Sequence, residues 1–215
     1  MRPDQIHDVV RIVRKEIRQW PMPVIGHYVE TPFTVLVSCI LSLRTQDKTT
    51  NAASDRLFAI AGTPEQMLST PVRVIQQAIY PVAFYRVKAR TIHAICEQLR
   101  ERYDGKVPST LDQLLELPGV GRKTANIVVT MAFRKAGIAV DTHVHRISNR
   151  LGYVKTKNAD ATEMALRKIL PRKYWLTFND LLVSYGQNLC KPISPFCSKC
   201  KIAGYCDQVG VGVRR

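Results

Sequence analysis

Several things are missing from this sequence of 215 residues, and each absence narrows the reading. No run approaches the ~18 consecutive apolar residues of a membrane-spanning helix. Met-Arg-Pro-Asp at the start is not followed by an apolar leader, so a cytoplasmic, nucleoid-associated protein is expected. Aromatics make up only 7%, and alternating β-branched runs are scarce, which argues against a strand-rich fold. Neither a long linker nor a low-complexity tract breaks the chain, and no solenoid repeat is visible. Negative charge is also short. Asp and Glu number 17 against 32 Lys and Arg, a net charge of +15. Such an excess points to a polyanionic partner, and no single amphipathic helix concentrates it as a membrane surface would require.

What is present reads as helix. "DQIHDVVRIVRKEIRQW" places Ile6, Val9, Val10, Val13, Ile17 and Trp20 on one face, with Arg and Lys opposite. "PFTVLVSCILSL" is apolar almost all round and predicts a buried central helix. Thr63 and Thr70, each followed by Pro, predict two helix starts, "STLDQLLEL" a third, and "NADATEMALRKIL" a helix that stops at Pro171.

Six cysteines are present, and four lie in "CKPISPFCSKCKIAGYC" with the spacing C-x6-C-x2-C-x5-C. Disulfides suit short secreted domains rather than a chain of this kind. Pro, Ser, Lys and Gly fill the gaps, so this is a loop, and a loop does not bury four thiols without a partner. A metal remains. Zinc sites with four thiolates usually come as two short pairs, whereas only one pair is short here. The open spacing favours an iron–sulfur cluster only modestly over zinc.

"LPGVGRKTANIVV" joins two helical patterns through Pro118-Gly119-Val120-Gly121. Two close glycines allow a sharp turn, and a helix starting near Arg122 turns its free N–H groups and positive dipole end outward. That is either an anion site or a plain helix–helix turn. It is not a Walker loop, because the G-x4-G-K-[ST] spacing is absent. Lys123 sits in the first helical turn beside Arg122, where its ammonium is disfavoured; a lysine neutral part of the time can attack carbon and form a Schiff base. The bland alternative is a phosphate-pairing lysine. In "IAVDTHVHRISNR", Asp141 is an N-cap candidate that could also set negative charge where a cation develops. His143 and His145, two apart, point to different sides and read as surface or phosphate contacts, not a paired metal site.

Taken in order, the hairpin with its lysine, "VDTHVHR" with its Asp eighteen residues later, and the cysteine spacing closely resemble the endonuclease III family of helix–hairpin–helix DNA glycosylases. The resemblance runs from about "TPFTVLVSCILS" to Cys206. It implies an all-α fold of two helical lobes flanking a DNA cleft. One is a six-helix barrel over residues 25–135; the other joins 1–24 to 136–215 and carries a [4Fe–4S] cluster at 190–206. It further implies that Lys123 is the nucleophile and Asp141 the catalytic carboxylate, and that Cys190, Cys197, Cys200 and Cys206 ligate the cluster. Gly119 and Gly121 match the phosphate-binding hairpin, whose neighbours Val120 and Arg122 are also expected at the DNA. "VAFYRVKA" matches the loop that wedges into the duplex, with Phe84 at its tip. Arg44 or Gln46 in "LSLRTQD" would reach into the gap. Arg44 departs from the family's usual Gln, which puts the opposite-base preference in doubt. His143, Lys191 and Lys199 are further expected DNA contacts. The implied enzyme is a bifunctional DNA glycosylase and AP lyase acting on oxidised pyrimidines. Its partner is double-stranded DNA bearing damaged or abasic nucleotides, with no membrane, and the chain acts as a monomer. The alternatives are a mismatch thymine/uracil or an adenine glycosylase of the same superfamily, or a non-catalytic DNA-binding module.

Overall fold

The computed structural model describes residues 1–20 and 31–215. The chain divides into two compact units, Met1–Pro23 with Ala136–Arg215, and Val24–Lys135. The expected lobe boundary at residues 24 and 25 lies outside the described residues. Helices and turns make up the described residues, with no β-strand among them. No helix there is long and apolar enough to cross a membrane.

The discontinuous unit begins with α1 (Ile6–Glu16), which buries Ile6, Val9, Val10 and Val13. Ile17 and Trp20 pack against the same core, Trp20 edge-on to Tyr185 with ring centroids 6.0 Å apart. The 3–4 spacing of apolar residues is therefore the face that the unit buries. At about 1.5–3 kcal/mol for each large aliphatic side chain removed from water, that stripe anchors α1.

The continuous unit is built on α2 (Pro32–Ser42), in which every residue from Phe33 to Leu41 is buried. A helix apolar on all sides has no solvent face to offer, so the others must surround it. Thr31 caps it, accepting the Thr34 N–H at 3.1 Å, with Pro32 at the first helical position. Around it come α3 (Asp47–Phe58), α4 (Pro64–Ser69), α5 (Val72–Ile79), α6 (Tyr85–Tyr103), α7 (Leu111–Leu115) and α8 (Arg122–Ile127). Thr63 caps α4 and Thr110 caps α7. Thr70 does not start α5, as its Thr-Pro pair suggested. It ends α4, its hydroxyl donates back to Gln66 O at 2.8 Å, and Pro71 takes the N-cap position. A hydroxyl that finds a carbonyl one turn back is no longer available as a cap.

After α8 the backbone widens into one π-helical turn, Val128–Ala132. The Thr130 hydroxyl donates to Asn126 O at 2.8 Å and Ile127 O at 3.1 Å there. The discontinuous unit then resumes with α9 (Thr142–Arg150), α10 (Ala159–Ile169) and α11 (Phe178–Asn188). Gly186 of α11 meets α9 so closely that a Cβ would strike the His143 ring and the Arg146 guanidinium.

Candidate active site and cysteine centre

In the hairpin between α7 and α8, Gly119 has φ +73°, a left-handed conformation that suits glycine. A Cβ there would also lie 2.8 Å from the Thr91 methyl. Gly121 is the N-cap of α8, exposed and in extended conformation, with open space around it. Val120, expected at the DNA, turns its side chain inward. Its side chain is 7% exposed and its N–H donates to Leu117 O at 3.2 Å, so it closes the turn from within. Arg122 and Lys123 are half-buried at the start of α8. The thiol of Cys39, buried in α2, lies within electrostatic reach of Lys123. Burial pushes that thiol up to about 12, with the Lys123 charge acting in the opposite direction. Lys123 thus stands on a rigid helix backed by the central helix rather than on a mobile loop.

Phe84 is 62% exposed, has φ +57° and forms the N-cap residue of α6. Arg44, in the turn between α2 and α3, has φ +56°, and its guanidinium stands 5.9 Å from the Phe84 ring centroid. Two exposed non-glycine residues in left-handed backbone therefore share one surface of the continuous unit. Such conformations cost about 1–3 kcal/mol each and persist only where neighbours enforce them. Gln46 is exposed at the N-cap of α3, its side chain making no capping bond. The enforcing residue is Lys88, which sequence reasoning missed. It is 6% exposed, and its Nζ donates to Leu41 O at 2.8 Å, Leu43 O at 2.6 Å and Thr45 Oγ1 at 3.2 Å. Burial pushes its ammonium down to about 8. The signal was in the pattern: Lys88 stands in register with Ile92, Ile95, Cys96 and Leu99 on the buried stripe of α6.

In the discontinuous unit, Asp141 is the N-cap of α9. Its Oδ1 accepts the N–H groups of His143 and Val144, each at 2.9 Å. His143 is half-buried, with Arg146 Nη2 3.1 Å from its Nδ1. That ring face is committed within the unit, which narrows the expected DNA contact. His145, read as a surface or phosphate contact, is half-buried. Its Nδ1 lies 2.7 Å from Thr162 Oγ1, inside a network with Asn149 and Thr156.

Cys190, Cys197, Cys200 and Cys206 line one cavity with Ile147, Arg150 and Tyr185. None is in a disulfide. Burial first, and then the neighbouring cysteines, push Cys200 and Cys206 up, Cys206 to about 11. The thiols of Cys200 and Cys206 thus resist becoming thiolates unless a cation sits beside them. Donors already face the sulfurs. The Tyr185 hydroxyl is 3.2 Å from Cys200 Sγ, Gln208 N 3.4 Å from Cys206 Sγ, and Arg150 Nη1 3.5 Å from Cys190 Sγ. Arg150 also donates to Lys191 O and Pro192 O, each at 2.7 Å, and Arg146 donates to Cys190 O at 2.7 Å. Among the described residues, no group of three or more His, Cys, Asp or Glu is arranged to hold a metal ion. The four cysteines and the donors toward their sulfurs have the chemistry of a thiolate ligand set. Lys191 and Lys199 both lie over the Phe196 ring, at 5.5 and 6.0 Å.

The chain is similar to several known proteins. Residues 37–172 match the model of the HhH-GPD superfamily base excision DNA repair proteins. Endonuclease III of Thermotoga maritima is 43% identical over 199 residues, covering 93% of this chain and 92% of that protein. A solved trapped endonuclease III–DNA covalent intermediate superposes with a TM-score of 0.87 at 34% identity, covering 97% of both chains. A thermostable thymine-DNA glycosylase shares the fold, with a TM-score of 0.84 at 24% identity over 95% of this chain and 96% of that one. The chain thus belongs to the HhH-GPD superfamily of base excision DNA repair proteins and, within it, to the endonuclease III family, whose members are DNA glycosylases and AP lyases.

Proposed function

We propose that this glycosylase and AP lyase removes oxidised pyrimidines from duplex DNA, with Lys123 as nucleophile and Asp141 as electrostatic partner. The observation that carries the reading is Lys123 on the first turn after the Gly119–Gly121 hairpin, in a chain similar to one trapped covalently on DNA. The base must first leave the stack, at a cost of roughly a few kcal/mol. Phe84 and Arg44, exposed and held in fixed turns, are suited to fill the gap and offset that cost. Gln46 is the further candidate there, and the hairpin with Arg122, His143, Lys191 and Lys199 would meet the backbone.

Lys123 Nζ then attacks the sugar C1′ as the glycosidic bond breaks, and the base leaves with that electron pair and takes up a proton. The Asp141 carboxylate stabilises the positive charge that develops on the sugar and helps to deprotonate Lys123. Ring opening gives a Schiff base between Nζ and C1′, with the ring oxygen protonated. Loss of the acidified C2′ proton expels the 3′ phosphate by β-elimination, and water then frees Lys123.

We infer that Cys190, Cys197, Cys200 and Cys206 hold a [4Fe–4S] cluster. Its charge with four thiolates is about −2 in the usual resting state. Its contribution is to staple the loop that presents Lys191 and Lys199.

Borohydride trapping tests the nucleophile. The wild-type chain should give a covalent adduct with abasic DNA, and Lys123→Gln should give neither adduct nor strand cutting. Undamaged-DNA binding should fall only by the loss of one charge. Trapping undiminished in Lys123→Gln would move the nucleophile to another amine.

A further inference from the structure

We propose that Lys88 is a positioning residue for the damaged base pair, its side chain locking the Arg44 turn to the Phe84 turn so that both side chains are preset for the gap in the duplex. The inference rests on the reading that Arg44 and Phe84 enter that gap.

The three partners of the Lys88 ammonium are uncharged oxygens: two main-chain carbonyls and one hydroxyl. A buried cation without a carboxylate is unusual and needs a reason. Part of the reason is local. Leu41 O and Leu43 O lie at the C-terminal end of α2, where carbonyls lack intrahelical donors and a cation is favoured. Helix capping alone does not explain the third contact. Leu43 and Thr45 flank Arg44, so the ammonium holds the chain on both sides of a left-handed residue.

The second turn is tied to the same point. Thr45 Oγ1 also accepts the N–H of Ala83 at 3.2 Å. Ala83 precedes Phe84, and Phe84 O accepts the Lys88 N–H at 3.0 Å in the first turn of α6. Lys88, Leu43, Arg44, Thr45, Ala83 and Phe84 therefore form a closed ring of covalent and hydrogen bonds. The ring brings Arg44 within 5.9 Å of the Phe84 ring centroid. Residues that probe a base-pair gap act best when they need no reordering at contact. An arginine and a phenylalanine on separate loops would otherwise sample many orientations.

The test compares strand cutting at an abasic site in a duplex with cutting at the same site in a single strand, where no base pair needs to be parted. Lys88→Met fills the volume without the charge. Duplex cutting should fall about tenfold, the scale of losing hydrogen bonds to a charged group, with single-strand cutting within about twofold of wild type. A 2-aminopurine opposite the site should brighten less. In an Arg44→Ala/Phe84→Ala background, Lys88→Met should add no further loss, because both preset side chains are already gone. Equal losses on both substrates, no loss on either, or a further loss in that double-variant background would overturn the proposal. If Lys88→Met does not fold, as judged by its melt, Thr45→Ala removes the shared hydroxyl and carries the same expectations. Wild-type duplex cutting by both Phe84→Ala and Arg44→Ala would overturn the underlying gap reading as well. Slow Phe84→Ala beside a normal Lys88→Met would overturn the Lys88 role alone.

Discussion

Substitution of Asp141 separates its two jobs, because one carboxylate caps α9 and is proposed to face the reacting sugar. Its Oδ1 satisfies two helix-terminal N–H groups at 2.9 Å, those of His143 and Val144. Asp141→Ala leaves both without that partner, and losing such a cap costs about 0.5–2 kcal/mol. For a chain of this size about 1 kcal/mol moves the melting point by roughly 2–4 °C, so Asp141→Ala should melt about 1–8 °C lower. Asp141→Asn presents a side-chain oxygen of the same reach and keeps the cap. It loses only the interaction of a negative charge with the helix dipole, about 0.3–1 kcal/mol. Thermal melts should therefore rank wild type, then Asn, then Ala. Base release should rank differently. Neither variant places negative charge at the sugar, so both should lose about 10²-fold or more in single-turnover release. The assay is release of an oxidised pyrimidine from a duplex at saturating enzyme, beside a melt of each variant. An Asp141→Asn enzyme that releases base within about threefold of wild type would refute the electrostatic role and leave Asp141 a cap.

Arg150 gives a test at the cysteine centre. Arg150→Met removes donors from Lys191 O, Pro192 O and Cys190 Sγ, and the purified protein should carry less iron and sulfide per chain and bleach faster in air; unchanged iron content and bleaching would show that the cysteines need no such brace. Lys88 gives a pH test of stability. Its folded pKa of about 8 lies below its unfolded value, near 10.4 for a free lysine side chain. In that interval the unfolded chain binds more protons, so stability from this group rises with pH. The melting-point difference, wild type minus Lys88→Met, should grow between those two pH values, and a constant difference would refute the reading.

Local patterns carried much of this structure, and contacts between distant segments carried the rest. The faces of α1 and α2 were legible because apolar spacing is a property of one segment. So was the cap at Asp141, whose partners lie two and three residues away. The cysteines of 190–206 line one cavity, as a loop with clustered ligands suggests. Thr70 misled because two outcomes were open to its hydroxyl, and the carbonyl of Gln66 won over the next helix. The inward turn of the Val120 side chain was not legible, because a turn residue between glycines can face inward as well as outward. Nor was the contact of His145 with Thr162, seventeen residues away. Lys88 and Arg150 were missed for the same reason: their acceptors lie more than forty positions off, and a lone cation in a helix normally reads as solvated. An interior-register lysine such as Lys88 is the detectable case, since the apolar stripe of α6 passes through it. Arg150 stands at the last turn of α9, where a basic residue is expected on dipole grounds alone.

The placement of the cysteine loop bears on Asp141 through α9. That helix is nine residues long, about 13 Å at the usual rise. Asp141 caps one end. Arg146 and Arg150 project from its middle and last turns and grip the main chain at Cys190, Lys191 and Pro192. Gly186 leaves room on α11 for the His143 and Arg146 side chains of α9, and α11 ends two residues before Cys190. The helix and the cysteine loop are thus one braced unit, and the Arg150 guanidinium finds its main-chain acceptors only when the loop keeps its course. Ile202 and Phe196 pack the loop onto the core, but its remaining positions are largely Pro, Ser, Lys and Gly with little apolar area to bury. The thiolate-bound group proposed for the four cysteines would add to that order without taking part in any bond change at the sugar. Ordering the loop in turn fixes the two arginines, and with them the axis of the helix whose first residue follows Asp141. The iron–sulfur cluster proposed for these cysteines would then have a mechanical role within this unit.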